Sequence, residues 1–299
     1  MKVIFLGTSC MVPTKTRNHS AYFISYKSEG ILLDCGEGTQ RQIKKANIKP
    51  SKITKIFISH WHGDHTLGIP GLLDTLSASE YNKTLEIYGP KGTKTFLKHI
   101  EKGFVSSRKI KIRIIEIDDG ICFENNDFYI ESYKLEHSIL CYGFRIVEKN
   151  KLKIDLQKIT KYGLKEGPEL GKLQNKNNII FNNKKINYKK VTVEVKGKII
   201  SYVSDTVLCK NAYKIAKEAN ILICESTYSN EDIKKAKEFK HLTSVQAAQI
   251  AKKSKSEILY LTHFSQRYKD LKLLKKEAQK IFSNTKISED LMKIKIKNV

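Results

Sequence analysis

The chain has 299 residues, of which 40% are hydrophobic, which is enough for one large domain or two small ones. No stretch approaches the roughly 20 consecutive apolar residues that a membrane helix needs, and the apolar start is too short for a signal peptide, so we expect an untargeted protein with no membrane partner. The formal net charge of +24 favours polyanionic partners, nucleic acid before membranes, although lysine is abundant throughout and composition alone can explain much of this charge.

The cysteines indicate the compartment. All six are scattered along the chain, and no C-x-x-C pair occurs. That spacing argues against both a thiolate zinc cage and a disulfide framework. We therefore expect a reducing, cytoplasmic environment.

The first half of the chain alternates short apolar runs with helical patterns. Runs rich in β-branched residues predict strands at 2–6, 21–26, 31–34 and 53–59, and later at 110–117, 128–135 and 142–147. Apolar residues at helical spacing predict helices at 40–46, 66–79 and 93–102. Pro70 suits the first turn of the second of these helices.

The second half repeats this style without a detectable sequence repeat. Strands are predicted at 191–195, 198–204, 221–225 and 257–262, and helices at 211–219, 244–253 and 269–282. Two similar halves predict two sheets packed face to face with helices outside. Between them lie residues 149–190, which contain twelve lysines against three acidic residues and several Gly and Pro breakers. We interpret this segment as an insertion and not as a linker between domains.

The densest group of metal ligands follows the fourth predicted strand. His60, His62, Asp64 and His65 lie within six residues, and Gly63 lets the chain turn tightly between them. His60 and His62 in an extended segment point to the same side, whereas Asp64 and His65 on the turn can face a second position. The alternative is a surface histidine cluster, but three of the chain's eight histidines fall in this one run. We expect a two-metal hydrolase, with zinc favoured by the imidazole and carboxylate ligands.

Three further candidate ligands each lie at the end of a later predicted strand. They are His137, Asp205 and His263. The carboxylate of Asp205 can bridge two cations a few ångströms apart. Taken singly, His137 or His263 could equally be a core histidine with satisfied hydrogen bonds.

The motif His-x-His-x-Asp-His after a strand, with Asp34-Cys35-Gly36-Glu37-Gly38 upstream, resembles the metallo-β-lactamase superfamily. Within it, the chain is similar to the ribonuclease Z family of endonucleases, which trim the 3′ trailer from precursor tRNA. The resemblance implies an α/β fold, the four-layer αββα sandwich of two mixed sheets, in a single domain over residues 1–299. It also implies two Zn²⁺ per chain and no organic cofactor. Because no long N-terminal pseudo-domain is present, it implies the short form, a homodimer.

The resemblance also implies ligand sets and catalytic roles. One zinc would be held by His60, His62, His137 and Asp205, and the other by Asp64, His65, Asp205 and His263. Asp64 would also orient the attacking water and accept its proton. His241, kept protonated by Glu225, would be the general acid for the leaving ribose 3′ oxygen, so that the products are a tRNA with a 3′ hydroxyl and a trailer with a 5′ phosphate. The alternative for His241 is a structural position before a helix that Thr243 caps.

Two segments favour a tRNA substrate. One reproduces the Pro-x-Lys-x-Arg-Asn loop that in the family approaches the 3′ end of the tRNA, and the other is similar to the Gly-Pro segment of the family's tRNA-gripping arm. Residues 149–190 are therefore a predicted tRNA-binding arm that selects precursor tRNA by shape, through contacts to the folded backbone. The predicted substrate-binding residues are Pro13, Lys15, Arg17, Asn18, Gly167, Pro168 and Lys172.

Other functions remain open from sequence. Another metallo-β-lactamase-fold enzyme, such as a thioesterase or a small-molecule phosphodiesterase, would use the same ligands. It would need neither the Pro-x-Lys-x-Arg-Asn loop nor the basic insertion. From a different class, the chain could be an RNA-binding scaffold with a vestigial metal site, which metal analysis would distinguish.

Overall fold

The computed structural model describes residues 1–103, 105 and 109–296, which build two seven-stranded mixed sheets. The first sheet contains β1 (Lys2–Gly7), β2 (Ala21–Tyr26), β3 (Glu29–Leu33), β4 (Lys55–Phe57), β5 (Thr84–Gly89), β6 (Lys111–Glu116) and β18 (Lys293–Lys295). Their spatial order is β18-β1-β2-β3-β4-β5-β6. Pairing is antiparallel from β18 to β3 and parallel from β3 to β6.

The second sheet is built from the later part of the chain. It contains β7 (Gly120–Glu124), β8 (Phe128–Leu135), β9 (Cys141–Glu148), β14 (Ile199–Val203), β15 (Ile221–Glu225), β16 (Leu259–Thr262) and β17 (Thr285–Ile287). Their order is β17-β16-β15-β14-β9-β8-β7, antiparallel from β7 to β14 and parallel from β14 to β17. Loops after parallel strands leave a sheet at the same edge, so the loops that follow β14, β15 and β16 lie together.

The two sheets pack face to face through an aromatic core. Phe57 and Tyr88 of the first sheet stack with ring centroids 4.4 Å apart, and Phe144 of the second sheet contacts Phe57 edge-on at 5.4 Å. Side chains alternate between the faces of each strand, so the residues of β8 are buried on the inner face and partly exposed on the other. The expected αββα sandwich is confirmed, with this core between its two central layers.

Helices cover the outer face of each sheet. Those beside the first sheet are α1 (Thr39–Lys45), α2 (Gly63–Thr66), α3 (Ile69–Ala78) and α4 (Thr93–Gly103). Those in the second half are α8 (Lys210–Ala216), α9 (Ile233–Glu238), α10 (Ser244–Lys253) and α11 (Lys272–Ile281), of which α8, α10 and α11 pack their apolar faces on the second sheet. Among the described helices, none is long and apolar enough to cross a lipid bilayer.

The basic insertion folds into a small unit of its own. A two-stranded ribbon, β10 (Lys151–Ile154) with β13 (Thr192–Val195), leads into α5 (Leu156–Thr160), α6 (Pro168–Gln174), the hairpin β11 (Ile179–Phe181) with β12 (Lys184–Ile186), and α7 (Tyr188–Val191). Six apolar side chains form its separate core: Ile159, Leu164, Leu173, Ile179, Ile186 and Val191. We call residues 149–195 the arm, because the returning strand extends the insertion beyond residue 190.

Several predicted elements differ from the structure. The single helix predicted at 66–79 is two helices, because the N–H of Gly68 donates to the carbonyl of Cys35 and not to the preceding helical turn. Pro70 does lie in the first turn of α3. The strand predicted at 191–195 pairs within the arm and not within a main sheet. The sequence patterns predict neither β5, β7, β17 and β18 of the main sheets nor β10, β11 and β12 of the arm.

Candidate metal centre

The histidine-rich motif lies at the sandwich edge, directly after β4. His62 is extended, with φ −72° and ψ 152°, and the next four residues form the single turn α2. His60 and His65 are fully buried and Asp64 is 6% exposed. The motif therefore presents His62 from extended backbone and Asp64 with His65 from a helical turn, as the spacing predicted.

The first group of candidate ligands consists of His60, His62, His137 and Asp205. His62 Nδ1 lies 3.1 Å from His60 Nε2 and 3.3 Å from His137 Nε2. The carboxylate of Asp205 lies 3.6 Å from His60 Nε2 and 3.9 Å from His137 Nε2. These four atoms surround one point, with spacings that suit the ligand shell of a single metal ion.

The second group consists of Asp64, His65 and His263. The Nε2 atoms of His65 and His263 lie 3.2 Å apart, and each lies within 3.5 Å of Asp64 Oδ2. Asp205 reaches this group as well, with Oδ2 at 3.4 Å from His65 Nε2 and Oδ1 at 3.4 Å from His263 Nε2. Asp205 therefore stands between the two groups, as the bridging assignment requires.

Three of the candidate histidines donate a hydrogen bond through the ring nitrogen that faces away from the centre, which leaves the other ring nitrogen available to a metal. His65 Nδ1 donates to Asp34 at 2.8 Å, and His137 Nδ1 donates to the carbonyl of Lys240 at 3.0 Å. His263 Nδ1 donates to Thr227 Oγ1 at 2.9 Å, since that hydroxyl gives its own proton to Glu225 at 2.7 Å. In neutral imidazoles this places unshared electron pairs on the Nε2 atoms that point at one another.

The buried carboxylates of the centre demand positive charge. Asp205 Oδ1 is buried and has no hydrogen-bond partner among the described residues. Burial lowers the pKa of His65, but the carboxylates of Asp205, Asp64 and Asp34 outweigh burial and raise that pKa well above its usual value. Burial raises the pKa of Asp64, but the positive charge of the neighbouring His65 outweighs burial and holds that pKa below its usual range. An orphaned carboxylate oxygen among converging imidazoles is the donor set that divalent cations of the zinc type fit.

Asp34 holds this arrangement in place, a role that its sequence motif alone did not indicate. Its fully buried carboxylate accepts from His65, from the backbone N–H and hydroxyl of Ser59 at 2.7 and 2.8 Å, and from the hydroxyl of Tyr202 at 2.7 Å. Its backbone is left-handed, with φ 55°. Asp34 orients the His65 ring and, through Tyr202, joins the two sheets. The sequence feature that could have indicated this role is an acidic residue directly after a buried strand.

His241 and Glu225 lie beside the second group. His241 Nδ1 is 3.1 Å from Glu225 Oε1 and 3.9 Å from Asp205 Oδ2. Burial opposes protonation of His241, but Glu225 and Asp205 raise its pKa to about 9. Thr243 caps α10 through a capping box with Gln246, so the local backbone also has a structural reason for its form. His241 thus lies just before a helix. Its ring lines a cavity of about 240 Å³ that Asp64 and Asp205 also line.

The predicted substrate-binding residues are not among the residues that line this cavity. In the 13–18 loop, Arg17 donates to the carbonyl of Tyr268 at 3.0 Å, and Asn18 donates through its side-chain amide to the carbonyl of Glu37 at 2.7 Å. These two side chains hold the loop against neighbouring segments, whereas Pro13 and Lys15 are exposed. Gly167, Pro168 and Lys172 are exposed at the start of α6 in the arm.

The chain is similar to known proteins in both sequence and structure. A family model described as the anti-Pycsar protein Apyc1 matches residues 1–161, which end before Asp205, Glu225, His241 and His263. Ribonuclease Z of Bacillus cereus (strain B4264) is 39% identical over 97% of this chain and 98% of its own length.

Solved structures agree with the sequence comparison. The short form of human tRNase Z is 30% identical and superposes with a TM-score of 0.74 over 100% of both chains. The metallo-β-lactamase fold protein YhfI of Bacillus subtilis, 20% identical, shares the fold with a TM-score of 0.71 over 98% of both chains. Since the Bacillus cereus relative is 39% identical over nearly the whole length of this chain, the chain belongs to the ribonuclease Z family.

Proposed function

We propose that the protein is a metal-dependent endoribonuclease that removes the 3′ trailer from precursor tRNA. One observation carries the proposal: Asp205 belongs to one group of candidate ligands and lies 3.4 Å from His65 and His263 of the other, in a chain whose near-full-length relative is a ribonuclease Z. The thioesterase and the scaffold alternatives have no comparable support. Precursor tRNA as partner, a homodimeric assembly, a cytoplasmic location and the absence of an organic cofactor belong to the same proposal.

The ligand groups would hold two zinc ions. His60, His62, His137 and Asp205 would bind one, and Asp64, His65, His263 and Asp205 the other. Bound there, the ions would lower the pKa of a coordinated water towards about 7 and neutralise charge that develops on the phosphate oxygens.

The proton transfers of the reaction would be carried out by Asp64, Glu225 and His241. The Asp64 carboxylate, held ionised beside His65 and His263, would orient the attacking water and accept its proton. The leaving ribose 3′ oxygen is strongly basic and needs a proton as the bond breaks. His241, with its charged form stabilised by Glu225, would supply it. The products would be a tRNA with a 3′ hydroxyl and a trailer with a 5′ phosphate.

Substrate selection would come from outside the cavity, because every RNA contains the same phosphodiester. The arm exposes Lys172 and many other lysines, and Gly167 with Pro168 begins its helix α6. Contacts from these side chains to the folded backbone would recognise shape. Lys15 and Pro13 would approach the 3′ end of the tRNA, while Arg17 and Asn18 would support the loop from beneath.

Asp64→Ala tests the function. We expect cleavage of a trailer-bearing tRNA transcript to fall by about 10²–10⁴-fold, because the variant loses a proton acceptor as well as a ligand. Binding of the transcript, measured by filter retention, should persist. Asp127→Ala, which removes a partly exposed carboxylate paired with Lys27, is the matched control and should cleave normally. Full activity of Asp64→Ala would contradict the assignment.

His241→Ala tests the general acid. With the natural 3′ oxygen at the scissile position, the single-turnover rate should fall by about 10²–10⁴-fold. With a 3′ sulfur leaving group, which departs without a proton, the loss should shrink to less than about tenfold. His99→Ala, an exposed histidine of α4, is the control. Equal losses on both linkages would show that His241 acts only as a structural residue before α10.

Deletion of the arm tests substrate selection. Lys151 pairs with Val195, so residues 152–194 can be replaced by a short Gly-Ser turn at the root of the ribbon. We expect weaker binding of precursor tRNA and a flatter salt dependence, by about one unit of slope for each lost phosphate contact. Hydrolysis of bis(4-nitrophenyl) phosphate should be spared. Equal loss on both substrates would show that the arm serves stability alone.

A further inference from the structure

The arm meets the sandwich at a short joint and not through a long linker. β9 ends at Glu148 and the arm's first strand begins at Lys151, while its last strand ends at Val195 and β14 begins at Ile199. Lys151 and Val195 are themselves paired, so the entering and leaving strands lie side by side from their first residue. We call Tyr26, Glu148, Lys151, Gly197 and Lys198 the arm joint.

The carboxylate of Glu148 connects three parts of the molecule. Its Oε1 accepts from the hydroxyl of Tyr26 at 2.5 Å and from Nζ of Lys151 at 2.6 Å, and its Oε2 accepts from the backbone N–H of Lys198 at 3.2 Å. Tyr26 belongs to β2 of the first sheet, Lys151 to the arm, and Lys198 directly precedes β14 of the second sheet. The Glu148 side chain is only 12% exposed, so these hydrogen bonds are partly shielded from water.

Backbone contacts leave the joint little freedom. A Cβ added at Gly197 would lie 1.7 Å from the carbonyl oxygen of Glu148, so the returning chain passes directly against the entering one. The N–H of Glu148 donates to the carbonyl of Lys198 at 2.9 Å, and the N–H of Gly197 donates to Asn150 Oδ1 at 3.0 Å. The two connections therefore move together.

Positive charge crowds around the joint, where Glu124 pairs with Lys149 and Glu148 pairs with Lys151. Lys149, Lys151, Lys153, Lys196 and Lys198 line a cavity of about 220 Å³ beside Glu148, which is the one acidic residue among its described lining residues. Like charges this close repel one another unless a counter-charge lies between them. Removal of the Glu148 charge would loosen the contacts of Lys151 with the sandwich.

We infer that Glu148, acting through Tyr26 and Lys151, fixes the direction in which the arm leaves the sandwich and thereby positions folded RNA relative to the metal centre. The inference rests on the proposed function, in which the arm holds the tRNA. A substrate that contacts the arm and the metal centre at once depends on this direction. A small phosphodiester, which reaches only the cavity, does not.

The test compares Glu148→Gln and Tyr26→Phe with the wild-type protein. For Glu148→Gln we expect KM for precursor tRNA to rise about tenfold, the scale of one charge-assisted hydrogen bond, with kcat little changed. Tyr26→Phe should also raise KM for precursor tRNA, but by less than Glu148→Gln does. Hydrolysis of bis(4-nitrophenyl) phosphate should stay unchanged, and amide hydrogen exchange should accelerate in β10 and β13. Glu131→Gln is the matched control, because Glu131 pairs with Arg145 at 3.3 Å within the same sheet but away from the arm.

Each outcome decides the inference. A Glu148→Gln protein that matches Glu131→Gln on precursor tRNA overturns it, and so does an equal loss on both substrates, which would indicate general destabilisation. Should Glu148→Gln fail to fold, Tyr26→Phe decides alone, since it removes only a hydroxyl. Arm deletion separates the two proposals. If deletion weakens precursor binding and the joint variants do not, only the joint inference fails, whereas a deletion without effect refutes the arm's proposed role.

Discussion

Buried carboxylates and imidazoles converge on one small volume at the edge of the sandwich, and their charge and lone pairs must be balanced there. Asp205 has an oxygen without a hydrogen-bond donor, while the Nε2 atoms of His65 and His263 face each other at 3.2 Å. Burying such groups costs several kcal/mol per unpaired charge. Protons can balance part of this charge, as the raised pKa of His65 indicates, and metal cations would balance it while also activating water.

The fold holds these groups together because each half of the chain contributes one side of the centre. The first half supplies the motif after β4, and the second half supplies Asp205 and His263 after β14 and β16. Buried hydrogen bonds tie the sheets together near this edge, from Tyr202 to Asp34 at 2.7 Å and between Tyr22 and Thr262 at 2.9 Å. The stacked Phe57 and Tyr88 fill the core between the sheets. Neither half could form the two ligand groups alone, and the Apyc1 family model, which matches residues 1–161, ends before Asp205 and His263.

Local sequence patterns were sufficient for the layers of the fold and for the ligand-bearing loop. β-Branched runs identified most strands of the two sheets, and the spacing within the motif separated the extended histidines from Asp64 and His65 on the turn. Long-range contacts were beyond that reasoning. Thr227, which orients His263, and Tyr202, which bonds Asp34, are ordinary residues whose partners lie far away in sequence. For the same reason, the sequence of the 13–18 loop does not show that Arg17 donates to the backbone of Tyr268. Nor does the sequence at 66–79 show that the helix breaks where the N–H of Gly68 donates to Cys35.

The central claim is that the two ligand groups form two metal sites that share Asp205. Zinc titration of the purified apoprotein, followed by a competing chelator and by metal analysis, tests it most directly. The wild-type protein should bind about two zinc ions per chain, His62→Ala about one, and Asp205→Ala neither with high affinity. An Asp205→Ala protein that keeps one site of undiminished affinity would contradict a shared ligand, and a wild-type protein that binds only one zinc would contradict the paired centre.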